Sequence, residues 1–232
     1  MWFDHRHKPR YDEIIAKAIS ESNCHLEPYR IDQPVTGDSI PVNILEGILN
    51  SRLVLFEISY ITQSNTIPVE SQRRFRNENV MYELGLAQAW RLPEEIIVIR
   101  DDPDLLPFDI QAFRVHTYDP SNADGSIRDL QGIINRSLQE IDRTKSMMVE
   151  RAARSLDMLC YKFMRDMKAH YFSEKEIKYD PATSHIISRL FDLGLLWFDT
   201  YDRRGSYAYH WTELGRDVCM KLGIEVGSKE DS

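Results

Sequence analysis

Two rhythms of apolar residues alternate through the first part of the chain. Leu53-Val54-Leu55-Phe56 and Ile96-Ile97-Val98-Ile99 are runs with no polar break, as expected of strands buried on both faces. Around them the spacing is three and four. Ile14, Ile15, Ala18 and Ile19 make one stripe within a helix from Tyr11 to Ser22. Ile40, Ile44, Ile48 and Leu49 make a second, with Asp38 or Ser39 as its cap. Val80, Leu84 and Ala87, with Met81 and Gln88 beside them, make a third within Val80 to Trp90. Met1-Trp2-Phe3, Cys24 to Ile31 and Arg114 to Tyr118 read as shorter strands. Leu106 to Asp109 reads as a turn or short helix, and Ile127 to Arg143 as an amphipathic helix. Buried strands alternating with amphipathic helices predict an α/β domain over residues 1–145, an open, mostly parallel sheet with helices on both faces.

Residues 146–232 have a different rhythm. Arg151 to Met167 reads as a helix carrying Leu156, Leu159, Cys160 and Phe163, after Ser146 to Glu150, which reads either as a connection or as part of one continuous helix. Ser173 is placed to cap a short helix, and Thr183 to Leu193 forms another. Leu195 to Thr200 and Tyr207 to Trp211, joined by a turn at Asp202-Arg203-Arg204-Gly205, predict a β-hairpin, after which Thr212 caps a last helix through Leu222. Helices followed by a two-stranded wing predict a small winged-helix-like α+β domain. Such modules often read DNA with their second helix. Here that helix, Thr183 to Leu190, has Arg189 as its single formal positive charge, and from Arg151 onward thirteen basic residues are matched by thirteen acids. A protein partner or a second copy of the chain is therefore expected at this domain, and DNA is not.

The 232 residues carry a formal net charge of −8, which argues against a general binder of nucleic acid or acidic membrane. No apolar run approaches membrane-spanning length, and the opening Asp4-His5-Arg6-His7-Lys8 is no signal peptide. Cys24, Cys160 and Cys219 are far apart and without paired ligand spacing, as in reduced thiols of a cytoplasmic protein. No metal-ligand cluster, Gly-x-Gly-x-x-Gly string or phosphate-loop lysine occurs, so no metal and no resident cofactor are expected.

In open parallel sheets ligands gather at the carboxyl ends of the strands. Phe3 and Asp4, Arg30 and Asp32, Glu57, and the stretch from Asn77 through Asn79 and Tyr82 to Glu83 all fall at such ends in the predicted order. Glu83 is expected in the first turn or so of its helix, near the positive end of the helix dipole. Arg73, Arg74 and Arg76, in the polar loop before it, are placed either to neutralise phosphates or simply to face solvent.

Met-Trp-Phe-Asp at the start, Arg30-Ile31-Asp32-Gln33, Ser51 to Glu57, Asn79-Val80-Met81-Tyr82-Glu83-Leu84-Gly85-Leu86-Ala87 and Leu106 to Ile110 together resemble segments of one superfamily. It joins nucleoside 2-deoxyribosyltransferases to TIR-like nucleotide-binding domains. The resemblance covers residues 1–145 and implies a flavodoxin-like, TIR-like sheet. It implies that Glu83 is catalytic and that Phe3, Asp4, Arg30, Asp32, Glu57, Asn77, Asn79 and Tyr82 contact a nucleotide or nucleoside. The first strand is shorter than usual for the family, Glu57 stands where aspartate is usual, and Asn77 stands where the transferases carry an aspartate.

The glutamate matching Glu83 acts on the ribose side of an N-glycosidic bond in this superfamily. A carboxylate suits that position because C1′ becomes electron-poor as the base departs, and a fixed anion can stabilise or attack it. Nicotinamide leaves neutral from a cationic pyridinium and needs no acid, whereas a purine or pyrimidine does. Without an acid at position 77, the expectation is NAD⁺ hydrolysis, with NAD⁺ as substrate, in a regulated defence or signalling effector. Deoxyribosyl transfer and a non-catalytic nucleotide-binding regulatory module are the alternatives.

Overall fold

The computed structural model of the chain describes residues 8–24, 26–30, 40–62, 74–106, 110–111, 113–167, 171–173, 177, 180–199 and 208–227. The chain divides into two compact units, Met1–Asp142 and Arg143–Ser232.

In chain order the first unit carries α1 (Lys8–Arg10), a π-helical stretch (Tyr11–Ile15), α2 (Ala16–Ser20), α3 (Ile40–Asn50) and β1 (Val54–Glu57). There follow the short antiparallel pair β2 (Ile61–Thr62) and β3 (Arg74–Phe75), α4 (Glu78–Trp90), β4 (Ile96–Arg100), β5 (Val115–Thr117) and α5 (Ala123–Arg154), whose residues from Arg143 belong to the second unit. β1, β4 and β5 form one parallel sheet in that order, with Val54 opposite Ile96 and Val98 opposite Val115. The unbroken apolar runs have their explanation in the side-chain alternation of β4. Ile97 and Ile99 pack with Ile14, Ile15, Ala18, Leu130 and Ile134 on one face, while Val98 packs with Ile48, Phe56, Val80, Leu84 and Ala87 on the other. Both faces of the sheet are thus covered by helices. The stripe Val80, Leu84 and Ala87 is the face by which α4 is held, at 1%, 1% and 0% exposure.

The second unit has its own core. α6 (Met158–Asp166), β6 (Tyr171–Ser173), α7 (Pro181–Asp192), β7 (Leu196–Asp199), β8 (Ala208–Trp211) and α8 (Glu213–Lys221) follow one another, and the three strands pair antiparallel in the order β6-β8-β7. Phe172 of β6 sits at the centre, its ring 5.4 Å from Tyr209, 5.7 Å from Phe163 and 5.9 Å from Trp211. Just past the end of α7, Gly194 takes a φ of +69°, which lets the Leu195 N–H return to the Leu190 carbonyl. α8 packs so close to the chain after α7 that a Cβ on Gly215 would stand 2.2 Å from the Leu195 carbonyl oxygen.

Three expectations need correction. Residues 26–30 are not a strand; Pro28 in their middle has no N–H to give a ladder. The helix expected from Arg151 to Met167 is two: α5 stops at Arg154, and Asp157, in extended conformation, caps α6 by accepting from the Cys160 N–H at 2.8 Å. Ser173 ends strand β6, whose residues pair with β8, and the short helix expected after it lies outside the described residues. α4 begins at Glu78, two residues earlier than the apolar spacing alone suggests, which moves Glu83 into the second turn. The turn at Asp202 to Gly205 and the expected caps Asp38 and Ser39 lie outside the described residues.

Candidate functional site at the carboxyl edge of the sheet

The carboxyl ends of β1, β4 and β5 converge, and the residues just beyond them are polar. Glu57 closes β1 and is 8% exposed. Its carboxylate accepts from the Ser59 N–H at 3.2 Å and from the Tyr118 hydroxyl at 3.4 Å. Ser59 in turn accepts from the Asp101 N–H at 2.8 Å, and Asp101 pairs with Arg10 at 2.6 Å. Burial pushes the Glu57 pKa up, and Asp101 adds to that, against the opposing effects of Ser59 and Arg10. Burial and the Glu57 charge also push the Tyr118 phenol up, so it stays a hydroxyl donor.

A second cluster shares this edge. Asp102 receives the Arg76 guanidinium at 3.1 and 3.3 Å, Arg100 at 3.5 Å, and the N–H groups of Tyr60 and Asp104 at 3.3 and 3.2 Å. Arg76 also donates to the Ile58 carbonyl and lies over the Tyr60 ring at 4.2 Å. Ile58 and Asp102 stand just past β1 and β4, and Arg76 immediately precedes the first residue of the α4 cap. The guanidinium therefore ties the start of α4 to the carboxyl edge.

Asn77 is that cap. Its side-chain oxygen accepts from the N–H groups of Asn79 at 2.8 Å and Val80 at 3.3 Å, and the residue is 7% exposed. Glu83 is partly buried, and burial raises its pKa above the ordinary 4.5. The helix dipole acts mainly on the first turn, so burial is what governs the Glu83 carboxyl here. Tyr82 and Asn79 face solvent.

The sheet edge holds Glu57 and, through Arg76, the Asn77 start of α4, but on different faces. Glu57 is in register with Ile99, on the face that carries Tyr118, whereas α4 and its Glu83 pack on the Val98 face, so these two predicted site carboxylates are not brought together. Arg30 lies elsewhere, with its guanidinium 4.6 Å from the Tyr11 ring centre. Phe3, Asp4, Asp32 and Arg73 fall outside the described residues, and nothing is described of the Arg74 side chain. Arg76 is neither solvated nor a loose phosphate ligand; at 7% exposure it is a buried partner of Asp102. Sequence reasoning missed Tyr118, Ser59, Arg10, Asp101 and Asp102. A carboxylate placed just after a buried strand was the available signal for the last two. Among the described residues no group of three or more His, Cys, Asp or Glu is placed to hold a metal ion. No helix there is long and apolar enough to cross a membrane.

Comparison with known proteins adds no relative: no family model, no curated protein and no solved structure matches the chain.

Proposed function

We propose that the first unit is a TIR-like, flavodoxin-like domain that cleaves the N-glycosidic bond of a nucleotide, with NAD⁺ as substrate and Glu83 as the group facing C1′. The observation that carries this reading is Glu83 itself. It is a partly buried carboxylate flanking the Val80, Leu84 and Ala87 face by which its helix is locked into the core, and the start of that helix is anchored at the carboxyl edge. A carboxylate held in this way stabilises an oxocarbenium-like centre without having to reorganise as charge develops.

Asn77 supports the choice of leaving group. Its oxygen is engaged by two backbone N–H groups, and its amide N–H groups are too weakly acidic to protonate a departing base. Nicotinamide needs none. Deoxyribosyl transfer stays as the second reading because the Asn79 to Ala87 stretch of α4 also resembles the transferases.

The second unit supports a winged-helix reading by its strand order and by α7 preceding the β7–β8 pair. Arg189, the single formal cation of α7, donates to the Ser155 carbonyl at 2.6 Å and so is turned away from a phosphate backbone. Trp197 and Phe198 on the edge strand β7 are 47% and 53% exposed, which suits a protein partner or a second copy better than DNA.

The deciding experiment incubates purified protein with NAD⁺ and, separately, with deoxynucleosides, and follows the products by chromatography. Nicotinamide release that disappears in Glu83→Gln supports the first reading, and base exchange on deoxynucleosides supports the second. Saturable NAD⁺ binding with no product leaves a nucleotide-binding regulatory module.

A further inference from the structure

A cleft of about 440 Å³ opens beside the edge strand β5, between His116 on the strand and one face of α5. That face is Arg128, Gly132 and Arg136. Residues four apart stack along a helix, and eight residues span about 12 Å. The glycine leaves the middle of the row open: a Cβ there would already come within 3.4 Å of an Arg136 guanidinium nitrogen. Ile133 completes the floor, and Asp129 is the one acid in the lining.

The arginines here differ from most others described in the first unit. Arg10 pairs with Asp101, Arg52 with Asp142, Arg76 and Arg100 with Asp102, Arg91 with Glu95, and Arg154 with Glu150. Arg128, Arg136 and the nearby Arg114 have no carboxylate partner among the described residues. In a chain of net charge −8 this gathers three guanidinium groups without a carboxylate partner among the described residues. Burial, then the charges of Arg114 and Arg136, hold the His116 imidazole below its ordinary 6.5, so at neutral pH it adds a neutral donor or acceptor facing the same space.

We propose that this cleft binds a small diphosphate ester, such as a nucleoside diphosphate, with Arg128 and Arg136 each taking one phosphoryl group over Gly132. Arginine forks match phosphate oxygens two at a time, and a pair of them on either side of a gap selects two linked phosphoryl groups over one. The small volume and the acidic chain around it disfavour a nucleic acid. The site lies on α5 and β5 and does not depend on the reading of Glu83.

The test is calorimetric titration of the full chain at low salt with pyrophosphate, ADP and sulfate, alongside an NMR titration that follows the His116 ring signals. Arg128 and Arg136 are exposed, so Arg128→Ala and Arg136→Ala are expected to fold, which thermal melting checks. Pyrophosphate and ADP are expected to bind one site, to shift the His116 signals, and to bind at least tenfold more weakly to either variant. Arg165→Ala, at an exposed arginine of the second unit, should change nothing. Sulfate binding as tightly as pyrophosphate would mean an adventitious anion site only and would overturn the proposal. So would absence of binding, unmoved His116 signals, or affinity indifferent to both substitutions.

Discussion

Arg76 and Asp102 grip each other through two nitrogen–oxygen contacts, at 3.1 and 3.3 Å, although 26 residues separate them in the chain. Their side chains are 5% and 12% exposed, so each charge depends on the other. Removing Asp102 leaves Arg76 buried without its carboxylate, which costs about 3–5 kcal/mol, while removing Arg76 leaves Asp102 with the longer Arg100 contact and two backbone N–H groups. Asp102→Ala should therefore lower the urea midpoint markedly, and Arg76→Ala should lower it less. Arg76→Met combined with Asp102→Leu should cost less than the sum of the single changes. Additive losses would show that the pair is not coupled.

Glu83→Gln keeps the side-chain shape and removes the charge. Turnover of NAD⁺ should fall by orders of magnitude while binding persists, because a fixed anion of this kind acts on the transition state. Stability should hold or rise slightly at neutral pH, since burial already disfavours the ionised carboxyl. In the parent, the acid limb of the pH–rate profile should lie above 4.5, where a raised Glu83 pKa delays ionisation. An acid limb at or below that value, or a variant as active as the parent, removes Glu83 from the chemistry.

Asn77→Ala deletes the cap of α4 and should destabilise by about 1 kcal/mol. Asn77→Asp keeps an oxygen for the same two N–H groups, so chemical denaturation should find it near the parent. The same aspartate supplies an acid and should raise activity on deoxynucleosides, yet it should not rescue Glu83→Gln. Equal stability of the alanine and aspartate variants would contradict the cap.

Glu57 makes stability depend on pH. Its folded-state pKa is raised above 4.5, chiefly by burial, so between 4.5 and the folded value the native state binds the extra proton. The stability it contributes is complete below 4.5 and is lost as pH rises through the folded value. Glu57→Gln can still accept from Ser59 and Tyr118, and it should flatten this loss and be more stable than the parent above that window. Thermal melting from pH 4 to 8 checks the slope; parallel curves for the two proteins would rule the linkage out.

How much of this was legible depended on how local each signal was. Leu53 to Phe56 and Ile96 to Ile99 could be read as strands because every side chain in a doubly covered strand is apolar. The α4 stripe was readable because its core face repeats within one helix, while the start of the helix was missed because Glu78 and Asn79 are polar and only Asn77 marks the cap. Arg76 looked like its neighbours Arg73 and Arg74. Its burial comes from Asp102, on the far side of α4 and β4 in the chain, and no local pattern distinguishes it. Tyr118 meets Glu57 only because β4 sets the register of both β1 and β5. Pairing across a sheet of that kind is invisible in a linear reading.

The burial of Trp211 gives the second unit an optical signal of its own. Its indole is 0% exposed and lies against the Phe172 ring, whereas Trp197 is 47% exposed, and in the first unit Trp90 is 66% exposed. Indoles in water emit to the red of indoles in an apolar core. Among the described tryptophans, the blue side of the emission band therefore comes from Trp211, and its disappearance on heating or in denaturant times the loss of the aromatic core around β6 and β8.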